Sequence, residues 1–223
     1  STQAVYLRVN RVDADICAQA REVTVADLHE STGHLGYVGL MSSRMQRVTP
    51  GAKIAGPAIT ALCQPGDNLM MHRALRLAQP GDVLVVQCQS ETSAAQWGDV
   101  ATSYAKAIGL AGVVVQGCVR DVDTVIGMGF PVWSTHVWPI HADKGKGGAV
   151  NVPMACADVL VRPGDLVVAD GDGERATDTV LVDPRDGLVR VDARHRGNST
   201  LRDVHRVCDI GQTGAFSYAA RSS

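Results

Sequence analysis

Asp99 and the adjacent pair Arg120-Asp121 are the residues of this chain whose types and spacing suit a reaction. Asp99 follows Trp97-Gly98 and opens a stretch with helical patterning, where first-turn backbone N–H groups point outward and favour anions. Arg120 and Asp121 stand just past an apolar run, in Gly117-Cys118-Val119-Arg120-Asp121. Folding one α/β unit brings such a strand end to the preceding helix N-terminus. Two carboxylates, a guanidinium and free backbone donors then share one spot. That set suits a 2-oxo acid held on a divalent ion. Hard ions such as Mg²⁺ or Mn²⁺ prefer carboxylate oxygens, keep several waters and use one or two protein carboxylates. The ion polarises the keto oxygen, while an arginine grips a substrate carboxylate or opposes a developing enolate. Spacing alone leaves a second reading open, because an Arg-Asp pair at a strand end also serves as a surface ion pair or turn stabiliser.

The elements that position these residues alternate. Residues 99–110 have a helical pattern, 112–116 form a short apolar strand, 122–128 are helical again and 131–134 are extended. This alternation predicts an α/β domain with parallel strands, whose binding loops follow the strand ends. Upstream, the chain up to about Gly36 reads as helical, with Thr24 as N-cap before Val25-Ala26-Asp27, Leu28 on the apolar stripe and Gly33 as the stop. Residues 53–63 read as a strand with a Gly-Pro irregularity. A Pro-Gly-Asp phrase recurs at Pro65-Gly66-Asp67, Pro80-Gly81-Asp82 and Pro163-Gly164-Asp165. The second and third copies lead into the buried-strand runs 83–86 and 166–169, as strand-opening turns. The first opens a helix over 68–77, with Asp67 as candidate N-cap. The Gly-rich stretch 144–148 lacks the Ser or Thr and the strand–loop–helix context of a phosphate-binding loop, so a mobile or pocket-lining loop is expected.

Composition narrows the partners. The 223 residues carry a net charge of −2, with Arg and Lys scattered rather than clustered, so neither nucleic acid nor an anionic membrane is expected. No apolar run approaches the roughly 20 residues that span a bilayer, and no secretory signal opens the chain, so the cytoplasm is the expected compartment. The six cysteines are far apart, lack a CxxC pair and predict buried free thiols rather than a disulfide framework.

Asp99, twenty intervening residues, then Arg120-Asp121 is a pattern that resembles the 4-hydroxy-4-methyl-2-oxoglutarate and 4-carboxy-4-hydroxy-2-oxoadipate aldolases. These share a superfamily with the regulator of ribonuclease activity A. Pro65-Gly66-Asp67-Asn68, Gln79-Pro80-Gly81-Asp82 with 83–86, the stretches 129–134 and 150–153, and 162–173 extend the match over roughly residues 20–173. The resemblance implies a swivelling β/β/α-type single domain (RraA-like) over 1–173, assembled as a homotrimer or homohexamer with interfacial active sites. It implies Mg²⁺ or Mn²⁺ held by Asp121 through its water shell, with Asp99 orienting a metal-bound water. Arg120 and the backbone of Gly98, Asp99, Val100 and Ala101 would bind the pyruvyl part of the substrate, and Asn68, His72 and Lys144 would lie near the pocket. The implied reaction is retro-aldol cleavage to pyruvate, with oxaloacetate decarboxylation as a side activity.

The resemblance ends after Gly173. Relatives continue with an apolar strand and a charged helix whose Glu reaches the neighbouring subunit's metal site. Here the atypical segment 174–223 has no Glu after Glu174, and Arg196 occupies about the place of the missing one. Three accounts stay open: Asp192 or Asp203 replaces it, the site rests on Asp99, Arg120 and Asp121 alone, or the reading frame is altered near the end, where the segment turns rich in Arg, Asp and Gly. Two further functions stay open: a non-catalytic regulator that binds a ribonuclease, and an enzyme that is mainly an oxaloacetate decarboxylase. A Schiff-base aldolase needs a desolvated lysine. None of Lys53, Lys106, Lys144 and Lys146 has the sequence surroundings for it.

Overall fold

The computed structural model describes residues 3–31, 39–171 and the backbone of 179–182. Four parallel strands form its centre: β3 (Ile54–Cys63), β4 (Val83–Cys88), β6 (Gly112–Val119) and β7 (Val132–Val137), bonded in that order. The short β5 (Ala95–Trp97) pairs with the end of β6, and β2 (Gln46–Arg47) runs antiparallel to β7. The second half of β3 pairs with β8 (Gly148–Val150), which carries β1 (Gln3–Val5). The first half pairs instead with β11 (Leu166–Ala169), which carries β12 (Thr179–Val182). Strands β9 (Met154–Cys156) and β10 (Val159–Val161) form a separate hairpin.

Two apolar layers sandwich the sheet. On one side lie the helices α3 (Leu69–Leu77), α4 (Asp99–Ala107) and α5 (Val122–Gly127). Met70, Met71, Ala74, Ala101, Ala105 and Val125 from these helices meet Ile59, Leu84, Val86, Val113 and Val115 of the strands. On the other side, Met41, Met45 and the hairpin residues Met154, Cys156, Val159 and Val161 cover Ala58, Val83, Val85, Val114 and Trp133. Runs rich in Val and Ile are what a strand covered on both faces requires. The layering is the α/β, β/β/α architecture expected from sequence. Helices α1 (Ala14–Glu22) and α2 (Val25–Ser31) pack Cys17, Ala20, Val25 and Leu28 on Ala55, Leu166 and Val168.

All three Pro-Gly-Asp phrases form the same turn. Each Asp N–H returns to the carbonyl three residues back, and Gly66, Gly81 and Gly164 have φ of +77, +87 and +90°. Asp82 and Asp165 also accept the N–H of Gln79 and Arg162 at 2.7 and 2.8 Å, closing the turn a second time. Asp67 instead accepts from Leu69 N–H at 2.8 Å, serving the first N–H of α3 from one residue outside it, because the helix begins one residue later than expected and Asn68, not Asp67, holds the N-cap position. Thr24 caps α2, its Oγ1 accepting from Asp27 N–H at 3.1 Å.

The N-terminal region differs from expectation. It is an edge strand and two short helices, not one helix, because Val23 is extended and Thr24 restarts the chain with its own cap. The expected stop at Gly33 lies outside the described residues, as do Glu174, Asp192, Arg196 and Asp203. Five cysteines, Cys17, Cys63, Cys88, Cys118 and Cys156, are buried free thiols; Cys208 lies outside the described residues. Burial pushes the Cys63 and Cys156 thiols up to about 12, so they pack as small apolar side chains. No helix among the described residues is long and apolar enough to cross a membrane.

Asp82 is fully buried and pairs with Arg11 through Nε at 2.7 Å and Nη2 at 2.8 Å, fastening the N-terminal segment under the sheet. Asp82→Ala would strand that guanidinium and remove an acceptor from Gln79. The expected loss is about 3–5 kcal/mol in urea unfolding, whereas under about 1 kcal/mol would make the pair incidental.

Candidate active site

A cleft of about 160 Å³ opens at the carboxyl ends of the parallel strands. It is lined by Asn68, Met71 and His72 at the start of α3, residues 95–101 of β5 and α4, Arg120 after β6, and His141, Ala142 and Lys144 from the loop before β8. Ligands of open α/β sheets bind at such strand ends.

Local structure explains why the groups meet. Arg120 N–H donates to Trp97 O at 3.0 Å, tying the end of β6 to the junction of β5 and α4. Trp97 is anchored by its Nε1, which donates to Thr102 Oγ1 at 2.8 Å, and by stacking on Phe130 at 5.9 Å between ring centroids. Asp121 then turns the chain with φ of +56°, a left-handed conformation that Asp tolerates better than most residues. Its carboxylate makes no cap bond to α5; it lies 3.2 Å from Arg120 Nε instead. A Cβ added to Gly98 would come within 2.7 Å of Asp121 Oδ2 and 3.3 Å of Arg120 Cγ, so only glycine allows this approach. At the start of α4, Asp99 Oδ1 accepts from Val100 N–H at 2.7 Å. The Asp99 and Ala101 N–H groups have no partner among the described residues and remain available for an anion.

Asp67 fixes the opposite wall. Besides serving the first N–H of α3, it accepts at Oδ2 from Gly145 N–H at 2.5 Å and from Lys146 N–H at 2.9 Å, and Lys146 Nζ donates to Pro65 O at 2.6 Å. The Gly-rich loop is therefore held to Asp67 at Gly145 and Lys146, and Lys144 at its start lines the cleft. Burial pushes the Asp67 carboxyl up, but the N–H groups of Lys146, Gly145 and Leu69 outweigh it and hold the pKa below its ordinary value. His72 is shifted down by burial first, then by Lys144 and Arg76, against an opposing pull from Asp67. Near neutral pH its imidazole is uncharged.

Metal fit is decided by the donor set. Among the described residues no group of three or more His, Cys, Asp or Glu side chains is placed as a cage. Asp121, its carboxylate partly exposed and unused by its helix, suits a hard ion that keeps most of its waters.

A family profile described as RraA-like, Aldolase/RraA, matches residues 23–174, more than half of the chain. The chain belongs to the RraA-like family. A relative from Halalkalibacterium halodurans, provisionally named a 4-hydroxy-4-methyl-2-oxoglutarate aldolase, is 32% identical over 166 residues, or 74% of this chain and 77% of the relative. One from Pseudomonas putida with the same provisional name is 36% identical, covering 58% of this chain and 75% of its own. Among solved structures, a Streptomyces coelicolor protein described as an unusual member of the RNase ES inhibitor RraA protein family superposes with a TM-score of 0.71. It is 31% identical over 91% of this chain and 95% of that one.

Of the site residues singled out from sequence, Asn68, Gly98, Asp99, Val100, Ala101, Arg120 and Lys144 all line the RraA-like cleft, with His72. Asp121 is not in its wall; it stands behind Gly98 and against Arg120. Gln96 and His141 line the cleft and were not singled out. A lone polar residue between Ala95 and Trp97 was the available signal for Gln96; His141 had none.

Because the Asp67 pKa is lowered on folding, its carboxylate stabilises the fold fully above the unfolded carboxylate value of about 3.9, and the contribution is lost as pH falls through the lowered folded value. Asp67→Ala should be about 2 kcal/mol less stable at neutral pH, with the gap to the unsubstituted protein closing in acid. Urea titrations of both proteins between pH 7 and pH 2 check this; a gap that persists in acid would contradict it.

Proposed function

We propose that the protein is a divalent-metal-dependent lyase that splits the C3–C4 bond of a 4-hydroxy-2-oxo acid into pyruvate and a second 2-oxo acid. Substrates of the 4-hydroxy-4-methyl-2-oxoglutarate or 4-carboxy-4-hydroxy-2-oxoadipate type fit the reading, with oxaloacetate decarboxylation as a side activity. The observation that carries it is the convergence at Gly98 of Arg120, the free Asp99 and Ala101 amides, and two carboxylates of different surroundings.

Arg120 and the two amides bind the carboxylate and the keto side of the substrate. Asp99, held at the start of α4, orients a water that takes the proton from the C4 hydroxyl. The C4 oxygen then becomes a carbonyl as the C3–C4 bond breaks, and the electron pair passes into the pyruvyl unit as an enolate. Arg120 opposes that charge, and the proton taken from the hydroxyl returns through the same water to C3, which gives pyruvate. A Mg²⁺ or Mn²⁺ ion, held by Asp121 through its water shell, would supply polarisation of the keto oxygen. Oxaloacetate reaches the same enolate by losing CO₂. Val100 on the cleft and Ile140 beside His141 are exposed apolar side chains. They support a homotrimer or homohexamer with neighbouring subunits at the cleft mouth.

The likeness to the Streptomyces coelicolor structure favours a second reading, a non-catalytic regulator of a ribonuclease. That role has no need of Asp99 beside Arg120 and Gly98. Pyruvate release from 4-hydroxy-4-methyl-2-oxoglutarate and from oxaloacetate, with Mg²⁺, with Mn²⁺ and with chelator, separates the two. Metal-dependent release is expected, and Arg120→Ala should lower kcat by roughly 100-fold or more. Asp121→Ala should lose the response to metal. No pyruvate from either substrate with the folded protein would leave the regulator.

Gly98→Ala tests the close approach separately. Gly98 has an extended φ of −172°, so alanine strains no backbone, and the flexible Asp121 carboxylate yields to the new methyl. We expect kcat to fall by about 100-fold, with the melting midpoint within about 4 °C of the parent.

A further inference from the structure

We propose that Lys144 and His141 form a second anion subsite in the cleft, which holds the carboxylate on C4 of the substrate and selects 2-oxo diacids over 2-oxo monoacids. The inference rests on the lyase reading and deepens it by assigning the substrate's far end. Both side chains belong to the cleft wall and both residues are exposed. Neither side chain has a hydrogen-bond or ion-pair partner among the described residues. Lys106 and Lys146, by contrast, each donate to a backbone carbonyl, of Met128 and of Pro65. Lys144 is a cation of the cleft with no protein acceptor.

The backbone that presents these two residues is fixed on both sides. Ile140 O, just before His141, accepts from Ala95 N–H at 2.9 Å. Asp143 N–H donates to Gly66 O at 2.8 Å, and Asp143 O accepts from Asn68 N–H at 3.0 Å. Beyond Lys144, the Gly145 and Lys146 amides are held by Asp67. The charge of Lys144 acts inside the cleft: after burial, it is the largest cause that pushes down the pKa of His72 in the same wall.

The span suits a diacid. Arg120 is tied to Trp97 O and the stretch before His141 to Ala95 N–H, anchor points two residues apart on β5, or roughly 7 Å. The two carboxyl carbons of an extended five-carbon 2-oxo diacid stand about 5 Å apart. With its C1 carboxylate on Arg120 and the Asp99 and Ala101 amides, such a molecule has the reach to set its C5 carboxylate on the loop wall. The flexible lysine stem closes the remaining gap, and an imidazole N–H of His141 is a second donor there. A methyl group at that end would leave both donors to water.

Two non-cleavable ligands of equal chain length test the subsite: 2-oxoglutarate, with a carboxylate at C5, and 2-oxopentanoate, with a methyl. Their Kd values are compared by calorimetry with Mg²⁺ for the parent, Lys144→Gln and His141→Gln. The parent should bind 2-oxoglutarate at least about 10-fold more tightly, the contribution of one charge-assisted hydrogen bond. Lys144→Gln should remove most of that preference and His141→Gln part of it, with 2-oxopentanoate bound as before. Equal affinity of the parent for both ligands, or a preference that survives Lys144→Gln, overturns the subsite. A preference untouched by His141→Gln overturns the part given to that residue. Weakening of both ligands alike by Lys144→Gln assigns the lysine to the shape of the cleft and also overturns the proposal. None of these readings needs turnover, so pyruvate release judges the lyase reading separately. A preference carried by Lys144 in a protein that cleaves neither substrate would sink that reading and leave a diacid site.

Discussion

Burial of the central strands on both faces is the constraint on which the rest of the molecule depends. Along β3, β4 and β6 nearly every side chain is enclosed by helices on one side or by the β9–β10 hairpin on the other. Each such valine or isoleucine contributes roughly 1.5–3 kcal/mol by leaving water, and a polar side chain there needs a partner, as Thr60 of β3 finds in Val152 O at 2.8 Å. The larger polar side chains gather at the carboxyl ends, where Gln87, Gln116 and Arg120 stand. The cleft lies there because that is where the core permits hydrogen-bonding groups.

The same constraint decides what could be read from sequence. Apolar runs bounded by Pro-Gly-Asp revealed β4 and β11, and the 3.6-residue pattern revealed α3 and α4, since burial had already shaped those stretches. Short elements escaped. β1, β5 and β8 are three residues each, too short for periodicity, and their pairing is set by distant partners. The break between α1 and α2 escaped as well, because Val23 continues the apolar stripe while its backbone leaves the helix. At the site, Asp99 and Arg120-Asp121 were legible through fixed spacing and charge. Gln96, which also lines the cleft, was not, because an amide has no charge to mark it.

Carboxylates with one residue type perform different work according to what surrounds them. Asp82 and Asp165 close turns, and Asp82 also takes the guanidinium of Arg11. Asp67 spends both oxygens on backbone amides and holds a loop in place. Asp121 has the same position relative to a helix that a capping aspartate would have, yet it makes no cap bond. The difference is conformational. A left-handed Asp121 aims its side chain back toward Gly98 and Arg120, so the helix start loses a cap worth about 1 kcal/mol while the carboxylate is set against the guanidinium that lines the cleft.

That trade is coherent only if the freed carboxylate has work to do, and the arrangement around it indicates what kind. Arg120 lies against Asp121 on one side and lines the cleft on the other, so its charge is shared between a protein anion and whatever occupies the cleft. A guanidinium already paired to one carboxylate attracts a second anion less strongly than a bare one, and this suits a group that must release its product. A second cation of the cleft wall, Lys144, is on a separately anchored loop, and the pKa of His72, also in that wall, is pushed down by burial and by Lys144 and Arg76. The Asp99 and Ala101 amides and Arg120 gather beside Gly98, among the groups that an anion in the cleft can meet. An anionic substrate with a charge at one end would be oriented by those donors before any chemistry begins.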